Sequence, residues 1–261
     1  MSAEHILVER DDLDIVTITL NRPGKLNALT KSMWGTLGDT FRTLSEDQSV
    51  RCIVLTGAGG KAFSPGNDIS EFETDRSNSS QAAAYGTLMA ANIDAMRDCP
   101  HPRVAAIRGI CVGGGMEIAG LCDVRICGES SRFGVPIAKL GLVMGYHEIG
   151  ALKSLVGAGR ALEILLEGRI FDAVEAERLG VVSRIVADDD VTSEARAAAE
   201  RIAAGAPLVH RWHRKFLNRL EDPAPLTHDE IIEAYACFDT EDFRAGYQAF
   251  LDKKTPVFKG R

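Results

Sequence analysis

Three consecutive glycines, Gly113 to Gly115, separate a short apolar run, Val104 to Ile107, from an apolar segment, Met116 to Leu121. The first run has the length of a buried strand, and the second predicts the start of a buried helix. Glycines at that junction leave the backbone bare where the first-turn N–H groups of a helix lack intrahelical acceptors. Such a place can meet negative charge developing on an oxygen, with peptide dipoles assisting and no cationic side chain required. A tight, close-packed turn accounts for the same triplet equally well. The spacing is not the G-x-G-x-x-G of dinucleotide folds, and no G-x-x-x-x-G-K-[ST] occurs, so nucleotide phosphates are not supported as ligands. Glu117, in the first turn of the expected helix, is a candidate acid/base. It also suits a carboxylate that only complements the dipole.

With 261 residues the chain is one large domain or a core with an appendage. Hydrophobic residues at 45% and charged residues at 26% are those of a soluble globular protein. A formal charge of −7 without a basic stripe argues against a nucleic-acid partner. Cys52, Cys99, Cys111, Cys122, Cys127 and Cys237 are scattered through apolar runs. They form no C-x-x-C pair or Cys/His cluster, so neither a disulfide framework nor a metal site is expected. Acidic residues interrupt the first twenty positions, which excludes a secretory or organelle leader, and no apolar run reaches membrane-spanning length. A cytoplasmic protein with no membrane association is expected.

Ile15 to Leu20 reads as a strand ending at the turn cluster Asn21-Arg22-Pro23-Gly24. Thr30 then suits the N-cap of a helix carrying Met33, Trp34, Leu37, Phe41 and Leu44 at helical spacing. Val50 to Thr56 is the next strand, and Lys61 to Phe72 holds a tight loop around Pro65 and Gly66. Asp75 to Gln81 reads as a polar, serine-rich loop before a helix over Ala82 to Cys99. Val124 to Cys127 is a strand and His147 to Leu155 a helix. Asp172 and Glu175 open a further helix that Gly180 closes. From Thr192 only helices are expected, over Ala195 to Ala204, Leu208 to Leu217, Leu226 to Phe238 and Thr240 to Leu251. Phe243, Tyr247, Phe250 and Leu251 share one face of the last, and that face must pack on the core or on another subunit.

Four segments together resemble the crotonase (enoyl-CoA hydratase/isomerase) superfamily: LNRPGKLNALT, GGKAFSPGNDISEF, IRGICVGGGMEIAGLCDVRIC and the closing AFLDKKTPVFKG. Their order and spacing extend the resemblance over essentially the whole chain. It implies an α/β fold, a crotonase-like spiral of ββα turns over residues 1–195, followed by a C-terminal helical trimerisation region over 196–261. It also implies a homo-oligomer, a trimer or a dimer of trimers, acting on an acyl-CoA substrate. Coenzyme A then enters as part of the thioester, and no permanently bound cofactor is expected.

By the same resemblance, the backbone N–H groups of Asn67 and Gly114 receive the thioester oxygen, and Glu117 matches the first of two catalytic glutamates. Lys25, Leu26, Ala28, Pro65, Asp68 and Ile69 match coenzyme-binding positions, while Phe250 and Lys253 match residues that reach a neighbouring subunit's ligand. The departure lies in Phe133-Gly134-Val135-Pro136-Ile137, where Ile137 stands in place of the second glutamate. Tyr146, His147 and Glu148 are candidate substitutes, and Met89, Ile93, Met116, Ile137 and Leu142 are candidates for the acyl pocket. Three readings stay open: an enoyl-CoA hydratase or isomerase centred on Glu117, an acyl-CoA decarboxylase or thioester hydrolase, and a non-catalytic acyl-CoA-binding subunit.

Overall fold

The computed structural model describes residues 4–261. Two sheets run side by side. The larger orders its strands β1 (Ile6–Arg10), β2 (Ile15–Leu20), β3 (Cys52–Gly57), β5 (Arg103–Ile107), β7 (Val124–Gly128) and β10 (Arg184–Val186); only the β1–β2 pair is antiparallel. The smaller orders β4 (Ala62–Ser64), β6 (Ile110–Val112), β8 (Arg132–Gly134) and β9 (Phe171–Asp172), with β8 and β9 antiparallel. Three successive turns, β3–β4, β5–β6 and β7–β8, each give their first strand to the large sheet and their second to the small one. That repeated hand-over is the expected spiral of ββα turns.

The first helix, α1 (Lys31–Glu46), starts where Thr30 accepts the Met33 amide, and it buries Met33, Trp34, Leu37 and Phe41. The short α2 (Phe72–Asp75) and the long α3 (Ser79–Asp98) follow β4. The expected loop over residues 75–81 is therefore confined to residues 76–78, because α2 runs to Asp75 and Asn78 caps α3 by accepting the Gln81 amide. Asn92 of α3 donates to the Trp34 carbonyl at 2.9 Å, locking α1 against α3. After β6 comes α4 (Gly114–Gly120), and after β8 come α5 (Tyr146–Val156) and α6 (Ala158–Glu167). Asp172 caps α7 (Ala173–Leu179), which Gly180 ends in the left-handed region, as its D-x-x-E pattern predicts.

Both faces of the large sheet are covered, so its parallel strands are apolar on successive residues. One face belongs to the main core with α1, α3 and α4. The other carries Ile15, Cys52, Val54, Val104, Ala106 and Ile126, which meet Val191, Ala195, Ala198 and Ala199 of α8 (Val191–Ala203). Position 195, the expected end of the core, thus falls inside a helix whose full length packs on the sheet. Small alanines let α8 sit close to the strands. Five cysteines are buried, and burial pushes the Cys122 and Cys127 thiols up to about 12.

Beyond α8 come α9 (Pro207–Leu220), α10 (His228–Glu233) and α11 (Glu241–Leu251). The single helix expected over 226–238 is shorter: α10 stops at Glu233, and a 3-10 turn over Ala236–Asp239 completes the segment. Asp242 is buried and accepts the Lys259 and Gly260 amides at 2.7 and 2.8 Å, folding the C-terminal residues back onto α11. Phe238, Phe243 and Tyr247 pack in sequence with tilted rings, their centroids 4.8 and 5.5 Å apart. Even so, Tyr235, Phe238, Tyr247, Phe250 and Leu251 remain exposed. Among the described residues, no helix is long and apolar enough to cross a membrane.

Candidate active site

The site forms where the loop after β4 meets the junction of β6 and α4. Ser64 donates to the Asn27 carbonyl at 2.9 Å and accepts the Gly66 amide at 3.0 Å. Leu29 then bridges both sides of Asn67: its amide donates to the Gly66 carbonyl, and its carbonyl accepts the Asp68 amide, each at 2.8 Å. These bonds hold residues 64–68 rigid and leave the Asn67 amide without a protein acceptor among the described residues. The Asn67 side chain turns inward, its Oδ1 accepting Trp34 Nε1 at 2.6 Å and its amide lying 3.7 Å from the Met89 sulfur.

On the facing segment, Gly113 has φ 54° and ψ −127°, a backbone state suited to glycine, and its own amide donates to the Gly134 carbonyl at 2.9 Å. Gly115 lies against β4, where a side-chain carbon would come within 2.1 Å of the Ser64 carbonyl oxygen. Close packing against β4 thus explains part of the triplet. Gly114 heads the helix, and its amide likewise has no protein acceptor among the described residues. The two free amides belong to touching segments: a side-chain carbon on Gly66, whose φ is +93°, would lie 2.6 Å from the Gly114 nitrogen. Because α4 is only seven residues long, its macrodipole adds little and the amides themselves carry the polarity.

Asn67, Gly114 and Glu117 line one cavity of about 100 Å³ with Pro65, Ile69, Ile137, Leu142 and Glu148. Ile137 forms an apolar wall where a glutamate was missing, and Glu148 brings a carboxylate from the first turn of α5 instead. Glu117 is only 8% exposed, and its Oε1 has no hydrogen-bond partner. Burial, reinforced by the negative charge of Glu148, holds the Glu117 carboxyl well above the usual carboxylate range. Burial also raises Glu148, but a hydrogen bond from the Gly145 amide and the charges of Arg76 and His147 act in the opposite sense. The two carboxyl groups share a site yet differ in environment.

Other candidates lie elsewhere. Met116 faces an apolar recess behind Glu117 with Leu152 and Leu155. Ile93, Tyr146 and His147 line a wider groove between α3, α5 and α9 that shares no lining residue with the cavity. The reason is helical geometry, since consecutive residues of a first turn point in different directions and only Glu148 faces inward. Asp68 is held by Arg22 at 2.9 Å and caps a short turn through Ser70, so its side chain is structurally engaged. Lys25 and Leu26 are exposed in the loop after β2, Ala28 is half-buried there, and Phe250 and Lys253 are exposed at the end of α11. None of these five lines the cavity. Sequence reasoning missed Phe72, Met144 and Arg76, which do. Arg76 lay in a stretch read as a surface loop, and only its single cationic charge amid serines could have marked it.

A family model described as enoyl-CoA hydratase/isomerase matches residues 11–261. The solved structure of an enoyl-CoA hydratase/carnithine racemase from Magnetospirillum magneticum superposes with a TM-score of 0.96 at 48% identity, covering 100% of this chain and 97% of that one. A probable enoyl-CoA hydratase of Mycobacterium tuberculosis is 36% identical over 268 residues, with 100% of both chains covered. The short-chain-enoyl-CoA hydratase of Clostridium acetobutylicum is 31% identical over 266 residues, again with full coverage of both. With its spiral of ββα turns and this full-length match, the chain belongs to the enoyl-CoA hydratase/isomerase family, the crotonase superfamily.

Proposed function

We infer that this enzyme adds water across the double bond of a 2-enoyl-CoA, and catalyses the reverse dehydration of the 3-hydroxyacyl-CoA. The observation that carries the reading is the presence of two carboxyl groups, Glu117 and Glu148, in one cavity beside two free amides. A pair whose environments push the two acidities apart divides naturally into acid and base. Glu148, whose charged form the Gly145 amide, Arg76 and His147 favour, takes a proton from water as its oxygen bonds to C3. The double-bond electrons move onto the thioester oxygen, which the Asn67 and Gly114 N–H groups receive. Glu117, whose neutral form burial favours, then delivers its proton to C2 as the carbonyl reforms. Each such donor is worth ~2.7–4 kcal/mol in a comparable oxyanion hole.

A shuttle on Glu117 alone suffices to move a double bond, so isomerisation is the competing outcome; decarboxylation or hydrolysis needs no carboxylate pair. The variant Glu148→Gln separates them. Hydration is expected to fall ~10²- to 10⁴-fold, the ordinary worth of a general base, while isomerisation of a 3-enoyl-CoA would persist. Removing the Tyr146 hydroxyl or the His147 imidazole is expected to change hydration less than threefold. Full hydration by the Glu148→Gln variant would exclude the pair mechanism.

In this reading the coenzyme would lie between Lys25, Leu26 and Ala28 on one flank and Pro65, Asp68 and Ile69 on the other, the backbone contributing at Asp68. Ile137 and Leu142 would flank the acyl group, while Met89, beside the Asn67 side chain, and Met116, in the recess behind Glu117, do not line this cavity. Phe250 and Lys253 would come from a neighbouring subunit. The support for that assembly is the exposed apolar surface of α9 to α11, which includes Leu217, Leu220, Phe238, Tyr247 and Phe250. Sedimentation velocity at micromolar protein is expected to show a trimer or a dimer of trimers. A monomer at that concentration would count against this role for the C-terminal helices.

A further inference from the structure

The cavity holds one cation, and its surroundings leave it without a hydrogen-bonded or ion-paired anion. Arg76, half-buried at the end of α2, lines the cavity together with the apolar residues Val135, Ile137 and Leu142. Its guanidinium carbon lies 4.8 Å from the Phe72 ring centre and 4.9 Å from that of Tyr85, so two aromatic faces fix its position. The neighbouring acids are engaged elsewhere: Asp75 accepts Lys31 Nζ at 2.6 Å, and Glu71 accepts the Lys31 amide at 2.8 Å. Glu148 accepts the Gly145 amide and feels Arg76 only as a more distant charge. Among the described residues, the Arg76 guanidinium has no hydrogen-bonded or ion-paired partner.

A purely aliphatic acyl group filling this cavity would strip water from Arg76 and leave its N–H groups unmatched, which is costly for a charged group. An acyl group ending in a carboxylate would remove that cost, because guanidinium and carboxylate match as a bidentate, charge-assisted pair. Resting on the reading of this cavity as the acyl-CoA site, we propose that the substrates are CoA thioesters of dicarboxylic acids, whose distal carboxylate is received by Arg76. Phe72 and Tyr85 act as positioning residues that hold the guanidinium flat, and Ile137 supplies an apolar wall along the chain between the two polar ends.

The test measures binding, so it stands apart from the reaction. Succinyl-, glutaryl- and adipyl-CoA are titrated calorimetrically against butyryl-, pentanoyl- and hexanoyl-CoA, with free coenzyme A as reference. At one chain length at least, the dicarboxylic thioester is expected to bind ~10- to 100-fold tighter than its counterpart, the worth of a charged hydrogen-bonded pair. In Arg76→Leu that preference ratio is expected to collapse to near one, and Arg76→Lys should restore part of it. A preference below threefold in the wild-type protein at every length would overturn the proposal, whatever the variants do. Equal weakening of free coenzyme A and of all six thioesters in Arg76→Leu would also overturn it, since Arg76 would then serve the coenzyme's phosphates. Failure of hydration alongside an intact preference would reject the reaction and leave the subsite standing.

Discussion

Glu117→Gln is expected to lower turnover by ~10²- to 10⁴-fold, with acyl-CoA binding retained, because it removes a proton donor and keeps the shape of the side chain. The same substitution should raise thermal stability at neutral and alkaline pH. The carboxyl is buried, its Oε1 lacks a partner, and burial lifts its pKa well above the ordinary value of 4.5. A group raised in this way favours the folded state fully below its unfolded value, and that contribution is lost as pH rises through the folded one. Wild-type protein should therefore lose stability relative to the variant as pH climbs from about 4.5 towards the folded value, and the two should converge at lower pH. Thermal melts across that range, paired with turnover, check both halves. Unchanged turnover would move the chemistry to Glu148, and a variant less stable at alkaline pH would contradict the burial argument.

A second large effect is expected at Gly66. A methyl group there meets the Gly114 nitrogen at 2.6 Å and the Val112 carbonyl oxygen at 3.2 Å, on a backbone whose φ of +93° already disfavours a side chain. Gly66→Ala must push apart the two segments that carry the free amides. Loss of one donor corresponds to ~10²- to 10³-fold in turnover, and the strained backbone adds ~1–3 kcal/mol of destabilisation. Gly86→Ala is the matched control. Gly86 lies within α3 with no atom near the added carbon, so that change should leave turnover intact and stabilise the helix by up to ~1 kcal/mol. Steady-state rates and melting temperatures of the pair decide it, and a Gly66→Ala enzyme within threefold of wild type would refute the convergence of the amides.

Local chemistry made much of this fold legible. Thr30 and Asp172 announce their helices because an N-cap is a short-range interaction, and the apolar strands of the large sheet announce themselves because both faces are covered. The glycine triplet was readable as a helix start. Its partner at Gly66 became visible only through the resemblance, since the contact between β4 and α4 is tertiary. The extent of α8 was misjudged because an alanine-rich helix carries little hydrophobic signal, although its alanines are what let it lie close to the sheet. Buried Asp242 was likewise invisible, its acceptors being filled by amides from the chain end.

At the site, Glu117 was recognisable from its position after the triplet, and the loss of a carboxylate at Ile137 was plain. Which of Tyr146, His147 and Glu148 faces the cavity depends on how α5 is rotated against α4, and no local pattern encodes that rotation. Arg76 was hidden for a similar reason. Its environment is assembled from Phe72 and Tyr85, on either side of a loop that sequence composition marks as polar and exposed.

The two-carboxylate account is tested most directly by following the mass of 2-enoyl-CoA thioesters, with and without a distal carboxylate, incubated with the wild-type protein alongside a 3-enoyl-CoA and a malonyl-type CoA. The account predicts that the 2-enoyl substrates gain the mass of one water, and that Glu148→Gln abolishes most of the gain. Conversion of only the 3-enoyl or only the malonyl-type thioester, with every 2-enoyl-CoA recovered unchanged, would contradict it.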